Sequence, residues 1–176
     1  MLDFLYSADT RKALAVVLIL VIVVLALTNL LSISLLAAAS LLVSFAVGKL
    51  RIKSIGIELV TFITVISALA YGTVAGAIIG LALIIFHLAI PQYMGAYVIW
   101  VIPEYALASV LAVALAGSVA QTGIIVTIIL NAINVLLTFI VSREYLPRYL
   151  PYAATNIIFN IILFTQAGEA VLGMLK

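Results

Sequence analysis

Apolar runs long enough to form a membrane-spanning helix, which needs about 20 residues, recur along almost the whole chain and are separated only by short polar breaks. Eight Lys and Arg and six Asp and Glu are the only charged side chains in 176 residues. The mean hydropathy is +1.45, far outside the range of soluble domains. The sequence therefore predicts an all-α, polytopic integral membrane protein that forms a single transmembrane helical bundle in the lipid bilayer.

Polar and proline-containing breaks divide the chain into seven predicted helices. These cover about residues 13–29, 31–48, 54–71, 72–90, 94–118, 123–142 and 151–175. If the first two runs form one bent element, the number of transmembrane helices falls to six. The sequence thus predicts six or seven.

The basic residues favour one orientation. With seven helices and the N-terminus in the cytoplasm, every Lys and Arg except Lys176 falls on the cytoplasmic side, as the positive-inside rule expects. We therefore expect a multi-pass protein of the cell membrane. The net charge of +2 is too small to indicate binding to nucleic acid.

A polar stripe crosses the sixth predicted helix. Thr127, Asn131, Asn134 and Thr138 recur at helical spacing in a stretch that contains no charged residue. Lipid offers no hydrogen-bond partner to these amides, so the stripe must face protein or a wet cavity.

A matching face on the seventh predicted helix carries Asn156 and Asn160. The two polar faces have two interpretations. Their amides can bond to each other and lock two helices together, or they can converge on a polar ligand near the middle of the membrane. We predict Thr127, Asn131, Asn134, Asn156 and Asn160 as ligand-binding residues.

Aromatic residues surround a carboxylate in the first part of the fifth predicted helix. Tyr97, Trp100 and Glu104 can close over a bound solute, such as an organic cation. The alternative is an interfacial aromatic belt, with Glu104 near the start of the helix. Glu58, close to Arg51 and Lys53, is expected to extend toward the membrane interface.

Small residues at four-residue spacing predict close contacts between helices. We predict two helix-packing stripes: Gly72, Gly76 and Gly80, and Ala108, Ala112 and Ala116. His87 lies on the glycine face, and we expect it to be a helix-end or packing residue.

The chain lacks the residues that several catalytic and metal-binding sites require. The chain has no Cys and one His, so no thiolate site or His cluster can form. Its only Asp residues, Asp3 and Asp9, precede the first predicted helix, and no protease-like pair can be assembled. We expect no enzyme activity, no metal site and no cofactor.

Two segments resemble the substrate-binding S components of energy-coupling-factor transporters. Ile57-Glu58-Leu59 through Tyr71-Gly72-Thr73 to Gly80 is similar to their second and third helices, and Leu150-Pro151-Tyr152 through Asn160 is similar to their last helix. The resemblance implies uptake of a small polar or aromatic solute together with a transmembrane coupling subunit and ATPases. It also implies that the end of the chain's second predicted helix lies outside the cell, against the charge rule.

The alternative is a membrane scaffold. The MreD cell-shape proteins resemble S components in size and hydropathy, and a protein of that kind would bind other membrane proteins without catalysis.

Overall fold

The computed structural model describes residues 19, 30–50, 55–90, 95–115 and 117–176. In this part of the chain the fold is all-α. The helices are α1 (Leu30–Leu50), α2 (Val60–Tyr71), α3 (Thr73–Ala89), α4 (Val98–Leu115), α5 (Val119–Val141), α6 (Leu146–Gln166) and α7 (Gly168–Leu175), with a 3-10 turn at Arg143–Tyr145. The predicted helix at 13–29 lies outside the described residues.

Three helix boundaries differ from the sequence prediction. Residues 55–59 are not helical, so α2 begins at Val60 rather than near residue 54. The sixth predicted helix, α5, begins at Val119 rather than near residue 123, because Ser118 caps it by accepting a hydrogen bond from the backbone N–H of Gln121 at 3.3 Å. The last predicted helix is two helices, α6 and α7, which meet at Ala167 with a bend of 61°.

The short helix α2 occupies the centre of the bundle. It packs against each of the six other helices that the structure describes, and its residues Val60 to Ala68 are buried without interruption. Other helices of the bundle therefore surround it along most of its length. At 12 residues it is about 18 Å long, too short to cross a hydrocarbon layer of about 30 Å.

The glycine stripe has two different roles. A Cβ at Gly76 would lie 2.6 Å from Ala68 Cβ, and a Cβ at Gly80 would lie 2.5 Å from Thr64 Oγ1. These two glycines therefore allow α3 to approach α2 closely. Gly72 is a correction to the packing prediction: it forms the turn between α2 and α3 at φ 88°, and a Cβ there would meet nothing within 4 Å.

The alanine stripe lies on the inner face of α4. Ala108 and Ala112 are fully buried, and α4 packs against α2, α3 and α5. Ala116, the third member of the predicted stripe, lies outside the described residues.

Three of the described helices, α1, α4 and α5, are long and apolar enough to cross a membrane, and the bent pair α6 and α7 makes a fourth if it counts as one span. Large apolar side chains on their outer faces are exposed, among them Leu31, Leu42, Ile99 and Ile140. Many large exposed apolar side chains are typical of a bundle that faces lipid.

Candidate functional site

A cavity of about 530 Å³ lies at one end of the bundle. It forms where the C-terminal ends of α1, α3 and α5 meet the N-terminal ends of α2, α4 and α6. Its walls combine apolar and aromatic side chains with a few polar ones, which is typical of small-molecule sites, and its volume lies in the range of about 300–1,000 Å³ that such sites span.

Six aromatic side chains line this cavity. They are Tyr97, Trp100, Tyr105, Tyr145, Tyr149 and Tyr152. The rings of Tyr149 and Tyr152 stack in the first turns of α6, with centroids 5.6 Å apart and planes at 26°. Three of the rings come from α4 or the residues just before it, and the other three come from α6 and the 3-10 turn before it. The aromatic wall is therefore assembled from two separate segments of the chain.

Glu104 is the only carboxylate among the described residues that line the cavity. It is 5% exposed and lies in the second turn of α4. Its Oε2 accepts a hydrogen bond from Asn134 Nδ2, and Asn134 Oδ1 in turn accepts from Trp100 Nε1 at 3.1 Å. Its other oxygen, Oε1, has no hydrogen-bond partner within the described part of the chain. A carboxylate can accept about four hydrogen bonds, so Glu104 retains most of its capacity.

Glu58 is a second buried carboxylate with the opposite character. It is 1% exposed, and both of its oxygens are in use. Oε2 accepts from the backbone N–H of Thr61 at 2.9 Å, which caps the start of α2. Oε1 accepts from Thr61 Oγ1 at 2.7 Å and from Asn156 Nδ2 at 3.0 Å. The prediction that Glu58 extends toward the interface is wrong, because these donors hold it inside the bundle.

Asn131 and Asn156 join α5 to α6. Asn131 Nδ2 donates to Asn156 Oδ1 at 2.8 Å and to Thr127 O at 2.9 Å. Asn156 Nδ2 donates to Gly56 O at 3.0 Å as well as to Glu58. The pair therefore ties α5, α6 and the segment before α2 together, and it corresponds to the helix-locking interpretation of the polar stripes.

His87 ties α3 to α1 beside the cavity that it lines. Its Nδ1 lies 2.8 Å from Ser44 Oγ, and Ser44 donates its hydroxyl hydrogen to Ser40 O at 2.8 Å. The Ser44 hydroxyl thus bridges the His87 ring and the α1 backbone. The ring is thereby fixed in orientation against α1.

Six of the eight predicted ligand-binding residues line the cavity: Tyr97, Trp100, Glu104, Asn131, Asn134 and Asn156. Thr127 and Asn160 are buried but are not among its lining residues. Thr127 Oγ1 donates to Gly123 O at 2.8 Å, and Asn160 Nδ2 donates to Asn156 O at 3.1 Å. Both side chains bond to the preceding turn of their own helix. Helical periodicity therefore predicts that they are buried, but not that they lie away from the cavity.

Five further residues line the cavity although their sequence pattern did not predict them as site residues: Tyr105, Tyr145, Arg148, Tyr149 and Tyr152. Part of the signal was present. Tyr149, Tyr152 and Asn156 are spaced by three and four residues, and this places them on one helical face.

Among the residues described, no group of three or more His, Cys, Asp or Glu side chains is placed to hold a metal ion. No protein-family model, curated protein or solved structure matches the chain.

Proposed function

We propose that the protein is a membrane-embedded solute-binding subunit, similar in role to an energy-coupling-factor S component. It binds a small polar or aromatic solute in the cavity at one end of the bundle and passes it across the membrane with partner subunits. The observation that carries this proposal is the cavity itself, with the partly unpaired Glu104 carboxylate in its wall.

The comparison between the two buried glutamates supports binding over a purely structural role. A polar network that only holds helices together saturates its buried groups, as Glu58 does with three hydrogen bonds. Burying a carboxylate with one oxygen unpaired is costly. A solute that donates a hydrogen bond to Glu104 Oε1 would remove that cost.

Charge near the cavity supports a cytoplasmic opening. Lys49, Arg143 and Arg148 all lie at the cavity end of their elements. Lys176 follows α7, which begins where α6 ends at the other end of the bundle. By the positive-inside rule, we expect the cavity end to lie on the cytoplasmic side of the cell membrane. An uptake subunit must open to that side when it releases its solute, so this conformation corresponds to release.

The test is a thermal-shift screen of vitamins, amines and metal ions against the purified protein in detergent. A bound solute raises the midpoint of unfolding by mass action. Val101 lines the cavity, so Val101→Trp should abolish the shift produced by any hit. Val113→Trp is the matched control, because Val113 lies on the same helix with its side chain exposed. A screen without hits, or a hit that survives Val101→Trp, would contradict the proposal.

Co-purification distinguishes uptake from the scaffold alternative. An uptake subunit should retain a transmembrane coupling subunit and ATPases when it is isolated from its native membrane in mild detergent. Recovery of envelope-synthesis proteins without ATPases would favour the scaffold.

A further inference from the structure

We propose that the solute carries a compact organic ammonium group, attached to an aromatic or apolar body, and that Glu104 binds this group. This inference rests on the proposed solute-binding function and names the chemical class of the solute.

The charge of the cavity wall is the first argument. Glu104 is buried at the wall, and Oε1 makes no hydrogen bond within the described residues. Within the described residues the one donor to this side chain, Asn134 Nδ2, is a neutral amide that also donates to Leu130 O at 3.1 Å. No described cation pairs with Glu104. An ammonium N–H donor supplies both the missing hydrogen bond and the missing charge, whereas a carboxylate or phosphate would meet Glu104 with repulsion.

The aromatic wall is the second argument, and it is independent of the first. Trp100 is held close to Glu104 because both side chains bond to the same amide, that of Asn134. Tyr97 and Tyr105 line the same part of α4 and the residues just before it. Aromatic faces attract cations, and the attraction strengthens when water is excluded. The same rings would also pack against an apolar or aromatic body.

Arg148 and His87 are the other lining residues that can carry positive charge. Arg148 is exposed, so solvent screens the charge of its guanidinium more strongly than it screens the buried Glu104. His87 Nδ1 already has a hydrogen-bond partner in Ser44 on the α1 side. Neither residue forms an ion pair or a hydrogen bond with Glu104 in the described structure, so the carboxylate remains available to a bound cation.

Three probes of similar shape and different charge provide the test: 2-phenylethylammonium, 2-phenylethanol and 3-phenylpropionate. Trp100 is the only tryptophan in the chain and lines the cavity, so its fluorescence reports occupancy. We expect the ammonium probe to bind at least about tenfold more tightly than the neutral and anionic probes, since a hydrogen bond to a charged group exceeds a neutral one by this margin or more.

Glu104→Gln removes the charge and keeps an oxygen for Asn134, so the variant should fold and lose the preference for the ammonium probe. Glu169→Gln is the matched control. Glu169 is exposed on α7, away from the cavity, and its neutralisation should leave the preference unchanged. Arg148→Gln should keep or increase the affinity for the ammonium probe.

Two outcomes overturn the inference: the alcohol or the propionate binds as tightly as the ammonium, or the preference survives Glu104→Gln. Absence of saturable binding by the ammonium probe overturns it as well. If the alcohol or propionate binds and Val101→Trp blocks it, the cation inference fails while the proposed solute-binding function stands. If hits are absent from the wider screen too, both fail.

Discussion

The two buried glutamates should respond in opposite ways to the same substitution, Glu→Gln. Glu58 accepts three hydrogen bonds on two oxygens. A glutamine at this position has one oxygen, and whichever way its amide is turned, its NH₂ group faces at least one donor. Hydrogen bonds to a charged group contribute about 1.5–3 kcal/mol each. Glu58→Gln should therefore lower the free energy of unfolding by at least about 1.5–3 kcal/mol.

Glu104→Gln should leave the ligand-free protein as stable as before, or more stable. The glutamine oxygen can replace Oε2 as the acceptor from Asn134. Its NH₂ group then takes the place of Oε1, which has no partner in the described chain, so no hydrogen bond is lost. A neutral amide also avoids the cost of burying an unpaired charge at this position.

Thermal unfolding of both variants in the same detergent, followed by circular dichroism, measures the difference. For a chain of this length, about 1 kcal/mol shifts the midpoint by about 2–4 °C. Glu58→Gln should thus unfold at least about 3 °C below the unmodified protein, and Glu104→Gln at or above it. Equal losses for the two variants would refute the distinction between a saturated and an available carboxylate.

Two further predictions concern packing and sidedness. Gly123→Ala should destabilise the bundle by about 1–3 kcal/mol, because its Cβ would overlap the ring of Phe164. Gly173→Ala, whose Cβ would meet nothing within 4 Å, should stabilise the bundle by up to about 1 kcal/mol. A loss of stability at both positions in thermal melts would contradict this prediction. In this Cys-free chain, Glu144→Cys at the cavity end should react with a membrane-impermeant maleimide only in inside-out vesicles, and Gln121→Cys only in intact cells. The reverse pattern would place the cavity outside, as the S-component resemblance implies.

The polar stripe on α5 shows how much of the site can be predicted from the sequence. Spacing alone predicts that Thr127, Asn131, Asn134 and Thr138 share a face, and all four are buried. Spacing does not reveal which partner each amide takes. Asn131 joins the helix lock, while Asn134 bonds to Glu104, because these choices depend on which helix packs opposite each turn.

Glu58 shows why the long-range contacts of the site could not be predicted from the sequence. Its sequence neighbours Arg51 and Lys53 indicate a position near the membrane interface. Its actual partner is Asn156, 98 residues further along the chain. A contact of that separation exists only once α6 has packed against the segment before α2, where a Cβ at Gly56 would collide with α6. Local sequence patterns carry no information about such a pairing.

The central position of α2 has a consequence for how the chain tolerates change. Helices at a lipid boundary usually accept substitutions on one side and reject them on the other, so tolerance rises and falls with each turn. In α2 the nine residues Val60 to Ala68 are all buried, and no turn has a permissive side. A saturation-mutagenesis profile should therefore oscillate along α5 and stay uniformly low along α2, making this short helix the least variable stretch among relatives of the protein.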